Sequence, residues 1–301
     1  MNTKQLKYVH VLAREGSFSR AAEELNISQP SLSQYIKKIE DTIGLKLFER
    51  TNGNVRLTDA GRVYLDTGRQ ILDLEHRMDM QFADIASQKT GSLIVGTAPY
   101  RAVSLMPAVA RRFRELYPGM HLVIREGTTA ELTEGLEHGE YDLCVTLLPI
   151  DERQFSYEPV AEEELILASP GDAAPLPAEE APDRRYPAIR PEAIDGQRMV
   201  MLTDAQYMQK QLENLAADYH LTLSPAAVVK SLEAQIAMVR AGIGTALMST
   251  GIERFCAPGE VRFYSFVPDL PKRELVVSWK KERQLTRVAQ ELKNAIRDMA
   301  W

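Results

Sequence analysis

From Gln29 to Lys38 the chain reads QPSLSQYIKK, ten residues holding amides, hydroxyls and two lysines but no acid. Such groups exchange hydrogen bonds without repelling phosphate, which is the chemistry of reading base edges in a DNA groove. Pro30, Ser33, Gln34 and Lys37 recur at i, i+3, i+4 and i+7, so on a helix they share one face, with Gln29 and Ser31 beside them in the first turn. Arg50 and Arg56 flank the sequence TNGN and are placed to meet phosphates of the backbone.

A second group of residues suits a small organic anion. Pro99, Tyr100, Arg101 and Ser104 follow the apolar run LIVGT. Thr128 and Thr129 follow VIREG, Thr203, Asp204 and Gln206 follow VML, and Ser231 stands beside Lys230 before LEAQ. Hydroxyls and an arginine at helix starts beyond strand ends offer N–H groups and positive charge to an anion. Plain capping is the competing role for Thr128 and Ser231, and an outward orientation for Arg101. Tyr100, if it points inward, narrows the pocket and selects a small or flat ligand.

Catalytic and metal-binding patterns are missing. The five histidines form no HExxH, and none pairs with a cysteine at ligand spacing. There is no GxSxG and no phosphate loop; the GIG at Gly242–Gly244 is too short for a nucleotide fingerprint. The acids of AEEE, Ala161–Glu164, read as a solvated strand entry rather than a carboxylate pair. Cys144, in an apolar strand, is expected to be buried and inert, and Cys256 more exposed. Two such distant cysteines suggest neither a disulfide framework nor redox sensing.

These residues need elements to hold them. LKYVHVLAREG places Leu6, Val9 and Ala13 at helical spacing, and SFSRAAEEL follows with Ala21, Ala22 and Leu25 turned inward. Ser28 then caps a helix whose Leu32, Ile36, Ile39 and Ile43 form the buried stripe. Two short helices joined by a tight turn, then two short strands around Asn52-Gly53, make a helix-turn-helix with a wing. From Thr58 about thirty residues run without proline. Tyr64, Ile71, Met78 and Ile85 repeat every seven residues, with Leu74 between, so a second copy is expected to cover this edge.

After SQKTGS, strands alternate with helices, which predicts a largely parallel sheet covered on both faces. AVSLMPAVARRFRELYP is read as one helix, a later one runs from Ala205 to Tyr219, and TRVAQELKNAIRDMAW is the last. EEELILAS leaves the first half and FYSFVPDLPKRELVVSWKK returns to it, so two lobes are expected. The stretch from Pro170 to Pro191 holds six prolines and reads as a long loop.

Composition is that of a soluble globular chain: 301 residues, 45% apolar, 26% charged, formal net charge −6. That acidity excludes bulk nucleic-acid affinity, yet through Gly61 nine basic residues face seven acids, leaving a small basic domain on an acidic remainder. No apolar run reaches the roughly 18–20 residues of a membrane span, and the N-terminus lacks a signal-peptide pattern. A cytoplasmic location is the expectation.

The segment GSFSRAAEELNISQPSLSQYIKKIEDTIGLKLFERTNGNVRLTDAG resembles the N-terminal domain of LysR-type transcriptional regulators. LMPAVARRFRELYPGMHLVIREGTTAEL and MVRAGIGTALM resemble their periplasmic-binding-protein-like effector domain more loosely, and the proline-rich stretch departs from it. The resemblance implies a winged helix-turn-helix over residues 1–58, a linker and dimerisation helix over 59–90, and a two-lobed α/β effector domain over 91–301. Lobe I would take about 91–162 and 268–301, and lobe II 163–267. By the same resemblance Gln29, Pro30, Ser33, Gln34 and Lys37 enter the major groove, while Arg50 and Arg56 touch the backbone. It further implies promoter DNA as partner, homodimers or homotetramers, RNA polymerase as a possible contact, and a small-molecule effector with no other cofactor. The competing reading is a solute-binding protein or enzyme fused to a helical module.

Overall fold

The computed structural model describes residues 2–51, 54–85, 90–203 and 207–299. The chain begins with α1 (Thr3–Glu15), α2 (Phe18–Glu24) and α3 (Gln29–Ile43), followed by the antiparallel pair β1 (Phe48–Thr51) and β2 (Asn54–Leu57). Asn52-Gly53, the expected turn, lies outside the described residues. Leu6 is buried, and Val9, Leu12, Ala21, Ala22, Leu32, Ile36 and Ile39 are buried and share one core with Leu47. Leu12 fills the position expected of Ala13. Ile43 ends the predicted stripe 40% exposed, because α3 stops at Gly44, which turns the chain away in a left-handed conformation.

The long helix α4 spans Asp59–Ile85. Thr58 starts it: its hydroxyl accepts the Gly61 N–H at 3.0 Å and donates to the Lys46 carbonyl at 2.6 Å. Tyr64 packs against the winged-helix core, whereas Val63, Leu74, Met78 and Phe82 stand exposed. Ile71 is half-buried, and the side chain of Ile85 lies outside the described residues.

Lobe I is a five-stranded sheet ordered β4-β3-β5-β13-β6, from β3 (Gly91–Thr97), β4 (Met120–Glu126), β5 (Leu143–Leu147), β6 (Phe155–Glu163) and β13 (Arg273–Lys280). Helices α5 (Pro99–Ser104), α6 (Met106–Leu116), α7 (Thr129–Glu137) and α10 (Arg287–Arg297) belong to it. The single helix expected over 102–118 is two, broken at Leu105. Pro107 has no N–H to offer Val103 and its ring clashes with that turn, so α5 cannot run on.

Lobe II holds a four-stranded sheet ordered β11-β7-β12-β8, from β7 (Leu165–Pro170), β8 (Ala188–Ile189), β11 (Ala246–Ser249) and β12 (Val261–Phe266). Beside it lie the parallel pair β9 (Arg198–Leu202) and β10 (Ser224–Val229), and helices α8 (Tyr207–Asp218) and α9 (Leu232–Arg240). The sheets are mixed, not largely parallel. β6 and β7 are separated only by Glu164, and the return through β12 and β13 brings β13 antiparallel to both β5 and β6. Parallel pairing needs a crossover, and these strands have none. The proline-rich stretch is packed: β8 joins the edge of the lobe II sheet, Leu176 N–H donates to the Tyr264 hydroxyl, and Arg184 donates to the Phe266 carbonyl.

A charged seam joins α4 to lobe I. Arg69 pairs with Glu134 at 2.9 Å and Glu140 at 3.0 Å, and His76 Nε2 lies 3.2 Å from Asp142. Asp142 is buried, accepts the Ile94 N–H at 2.8 Å and pairs with Arg283 at 2.5 Å. Its hydrogen bond raises the His76 pKa above 6.5 against the opposing effect of burial. The stability from His76 is therefore complete below about pH 6.5 and is lost as pH rises through the raised folded value. His10 is opposite: burial, outweighing Glu140, lowers its pKa, so protonating it costs stability on the acid side. Melting curves from pH 6 to pH 9 should show His76→Gln with a weaker alkaline decline than the parent; an unchanged decline would remove His76 as its source.

Candidate DNA-reading surface and effector site

The face of α3 opposite its buried stripe is open. Gln29, Pro30, Ser31, Gln34 and Lys37 are exposed and Ser33 is half-buried. Pro30 sits in the first turn, where its missing N–H costs nothing, and Ser28 accepts the Ser31 N–H at 3.3 Å. The helix is pinned from behind by a residue that sequence reading passed over. Glu40 is 7% exposed, and its carboxylate accepts the N–H groups of Leu47 and Phe48 at 2.9 and 3.2 Å and pairs with Lys46 at 2.7 Å. It thereby sets the angle between α3 and the wing. The only sign of this in the sequence is an acid at a position where the helical period calls for an apolar residue. Val55 N–H donates to the Gly16 carbonyl at 3.2 Å, which fixes β2 against the turn between α1 and α2. Arg56 is exposed on β2, opposite Glu49; the side chain of Arg50 lies outside the described residues.

The predicted effector residues fall into separate places. Tyr100, Arg101 and Ser104 come together at a cavity of about 180 Å³ between α5 and the turn after β11. Tyr100 does point inward: it leaves lobe I and packs in the lobe II core, its ring centroid 5.9 Å from that of Phe255. Arg101 is 6% exposed and does not face solvent. Its Nη2 donates to Glu163 at 2.7 Å, and Arg273, 8% exposed, donates to the other carboxylate oxygen at 2.5 Å. The Arg273 guanidinium also lies 5.3 Å from the ring centroid of Tyr207. Glu163 thus lies buried between two arginines, while its neighbour Glu162 is exposed; the AEEE segment alternates as a strand must.

Pro99 is exposed at the first turn of α5. Thr128 caps α7 in a capping box, accepting the Glu131 N–H while Glu131 accepts the Thr128 N–H at 2.7 Å; Thr129 is exposed beside it. That arrangement lowers the Glu131 pKa through its bonds to Thr128. Ser231 caps α9, accepting the Ala234 N–H at 3.2 Å. Thr203 is half-buried and tied by its N–H to the Val229 carbonyl, and Gln206 and Asp204 lie outside the described residues. A wider groove of about 810 Å³ runs between α6 and α10, lined by the Arg112–Glu115 pair and by Arg111 and Arg254.

Cys144 is buried with its thiol toward the Leu132 carbonyl, and burial pushes its pKa up. Burial also raises the half-buried Cys256, which packs with the lobe II core. Among the described residues no cluster of side chains could hold a metal, and no helix is long and apolar enough to cross a membrane.

A winged helix-turn-helix, a long connecting helix and a two-lobed α/β domain define a class of DNA-binding transcriptional regulators with a ligand-binding domain. Residues 3–62 match the bacterial regulatory helix-turn-helix protein, lysR family, and residues 86–301 match the LysR substrate binding domain. The chain belongs to the LysR family of transcriptional regulators. It is 27% identical over 300 residues to the uncharacterized HTH-type transcriptional regulator YcgK of Bacillus subtilis, covering 96% of this chain and 92% of that one. The hydrogen peroxide-inducible genes activator of Haemophilus influenzae is 29% identical over 222 residues, 74% of this chain and 70% of that one. A full-length OxyR variant from Pseudomonas aeruginosa superposes with a TM-score of 0.68 at 26% identity, covering 99% of this chain and 95% of that one.

Proposed function

We propose that the protein is a promoter-binding regulator whose α3 reads the major groove and whose two-lobed domain binds a small organic anion that modulates DNA binding. The observation that carries the DNA half is the open, acid-free face of Gln29, Pro30, Ser31, Ser33, Gln34 and Lys37 on a helix anchored by Glu40 and its apolar stripe. Arg50 and Arg56 on the wing would take phosphates. Residues 1–58 would form the DNA-binding domain, 59–90 the dimerisation helix and 91–301 the effector domain. The exposed stripe of Val63, Leu74, Met78 and Phe82 spans an arc of about 100° of α4 and supports pairing with a second copy, in a dimer or a tetramer. A two-fold pair of α3 helices would meet two half-sites on one face of the duplex.

The base-reading and phosphate roles separate in a binding assay. Ser33→Ala or Gln34→Ala should cost on the order of 1–3 kcal/mol at the operator and relax preference locally. Arg56→Ala should weaken all duplexes about equally and lower the salt slope by about one. A Gln34→Ala loss that is the same on every sequence would refute the reading role.

For the effector domain, calorimetry with small acids and neutral analogues decides the charge of the ligand; tight binding of neutral or cationic compounds alone would reject an anion. Likeness to a peroxide-inducible activator raises thiol sensing as a second reading. Its chemistry needs an accessible thiolate. Burial raises both thiols here and each packs in a different lobe, so the double Cys144→Ser, Cys256→Ser variant is expected to keep its effector response.

A further inference from the structure

We propose that the junction of α1, α4 and lobe I is a proton-tuned latch, in which His76 and His10 hold the DNA-binding half against the effector domain of the same chain within a limited pH window and release it on either side. The latch controls the relation between the two halves and is separate from the binding of DNA or of an effector.

Three of the five histidines of the chain meet at this junction. His10 of α1, His76 of α4 and His138 at the end of α7 line one cavity of about 380 Å³, with Leu72 and Val123 in its walls. Each faces a carboxylate on another element. His10 Nδ1 lies 3.9 Å from Glu140, His76 Nε2 3.2 Å from Asp142, and His138 Nε2 4.0 Å from Asp66. The turn that carries Glu140 sits directly on α4: Gly139 has a φ of +74°, and a Cβ there would stand 2.3 Å from Asp73 Cγ. The seam is closed, yet the side chains of His10 and His76 keep 19% and 24% of their exposure, enough to exchange protons with solvent.

The two histidines are set in opposite ways. His10 Nδ1 and Glu140 Oε1 are both buried without a hydrogen-bond partner, and their separation is too long for a bond between them. Arg69 of α4 and Arg14 of α1 oppose a charge on His10, while Glu140 of lobe I and Glu24 of α2 favour it less than burial disfavours it. A closed seam therefore keeps His10 neutral. His76 instead bonds the buried Asp142 across the seam, with Asp73 of its own helix in support and Arg283 of lobe I opposed. Lys7 of α1 and Arg125 of β4 stand across the cavity from it, and Glu75 and Asp79 of α4 beside it. A proton on His76 turns its bond into a charge-assisted one and tightens the seam. His138 is tied within α7, its Nδ1 2.7 Å from the Glu134 carbonyl, and faces an exposed Asp66, so water screens its part.

Linkage gives the window. His76, whose pKa is raised, favours closure fully below about pH 6.5 and loses that contribution as pH rises through its folded value. His10, whose pKa is lowered, favours closure above about pH 6.5 and loses that contribution as pH falls through its folded value. Closure is strongest near pH 6.5 and weakens on both sides. An open seam frees α4 to swing relative to lobe I, so movement of the effector domain no longer reaches α3.

The test is hydroxyl-radical footprinting of the full chain at pH 5.5, 6.5 and 8.5, which reads side-chain exposure by mass spectrometry. Leu72 and Val123, half-buried in the cavity wall, should oxidise most slowly at pH 6.5 and at least about twofold faster at each extreme, relative to exposed Met238 of lobe II. Phe113 and Leu32, in the cores of lobe I and of the winged helix, should stay protected throughout. His76→Gln should flatten the alkaline limb and leave the acid limb, His10→Gln should do the reverse, and His220→Asn, exposed in lobe II, should change neither. If one variant fails to fold, the other decides its own limb, and the parent profile decides whether a window exists. The latch is overturned by a flat profile in the parent or by limbs that survive both substitutions. It is overturned equally if Phe113 and Leu32 become exposed in step with Leu72, which would mean unfolding of a domain rather than release of the seam.

Discussion

Glu163→Ala is expected to destabilise the effector domain by about 3–5 kcal/mol, because it strands two buried guanidinium groups without a counter-charge. Arg101 and Arg273 reach Glu163 from α5 and from the start of β13, 62 and 110 residues away in sequence. Their side chains are buried where the two lobes meet, and neither can turn to water without opening that junction. Alanine also removes one anchor of β6 at the point where the chain crosses to lobe II. Glu162→Ala provides the control: that carboxylate is exposed, pairs with Lys272, and surface pairs contribute about 0–1 kcal/mol. Urea unfolding of the two variants beside the parent checks the difference. A Glu163→Ala loss below about 1 kcal/mol would mean that the arginines find other partners or water, and that the triad does not hold the lobes together.

Gly61→Ala should be equally severe in the DNA-binding region, at about 3 kcal/mol or more, since the clash is with backbone that cannot swing aside. A Cβ at Gly61 would stand 2.0 Å from the Leu47 carbonyl oxygen and 2.9 Å from Leu57 Cδ2. Both atoms belong to the segment that bears the wing, and the Thr58 cap bonds sit in the same joint. The methyl must push α4 away from β1 and β2 or break the cap. The expected result is lost DNA binding together with early melting of the winged helix, while anion binding in the effector domain survives. Gly68, where the near atom is the end of the flexible Leu6 side chain at 2.9 Å, should tolerate alanine better. Equal effects at the two positions would contradict the account of this joint.

Much of the architecture is written in local pattern. The 3.6-residue period of Leu32, Ile36 and Ile39 fixes which side of α3 is buried and so which side is free, and Thr58 and Gly44 mark helix limits by chemistry a reader can recognise. Pro107 signals the break between α5 and α6 by the same kind of rule, although the apolar spacing across it imitates one continuous helix. What sequence does not carry is pairing over distance. Glu163 reads as one of three solvated acids until β6 is seen to alternate, and nothing near Arg101 announces a partner 62 residues on. Glu40 is likewise legible only once Leu47 and Phe48 present their N–H groups to it. Strand direction fails for a related reason: β-α alternation predicts crossovers, but β6, β7, β12 and β13 connect without them. The heptad on α4 includes Tyr64, which the winged-helix core claims. The exposed stripe runs instead from Val63 to Phe82, because the seam with lobe I occupies another side of the helix.

The most direct test is a titration of the full-length protein with two labelled duplexes, one from upstream of its own reading frame and one of the same composition scrambled, across a range of salt. A LysR-type regulator reading bases through α3 should bind the natural fragment about a thousandfold more tightly than the scrambled one. Both affinities should fall as salt rises, and Gln34→Ala should narrow the gap. Equal affinity for the two duplexes, unchanged by Gln34→Ala over every fragment tried, would contradict the claim that this face of α3 reads DNA.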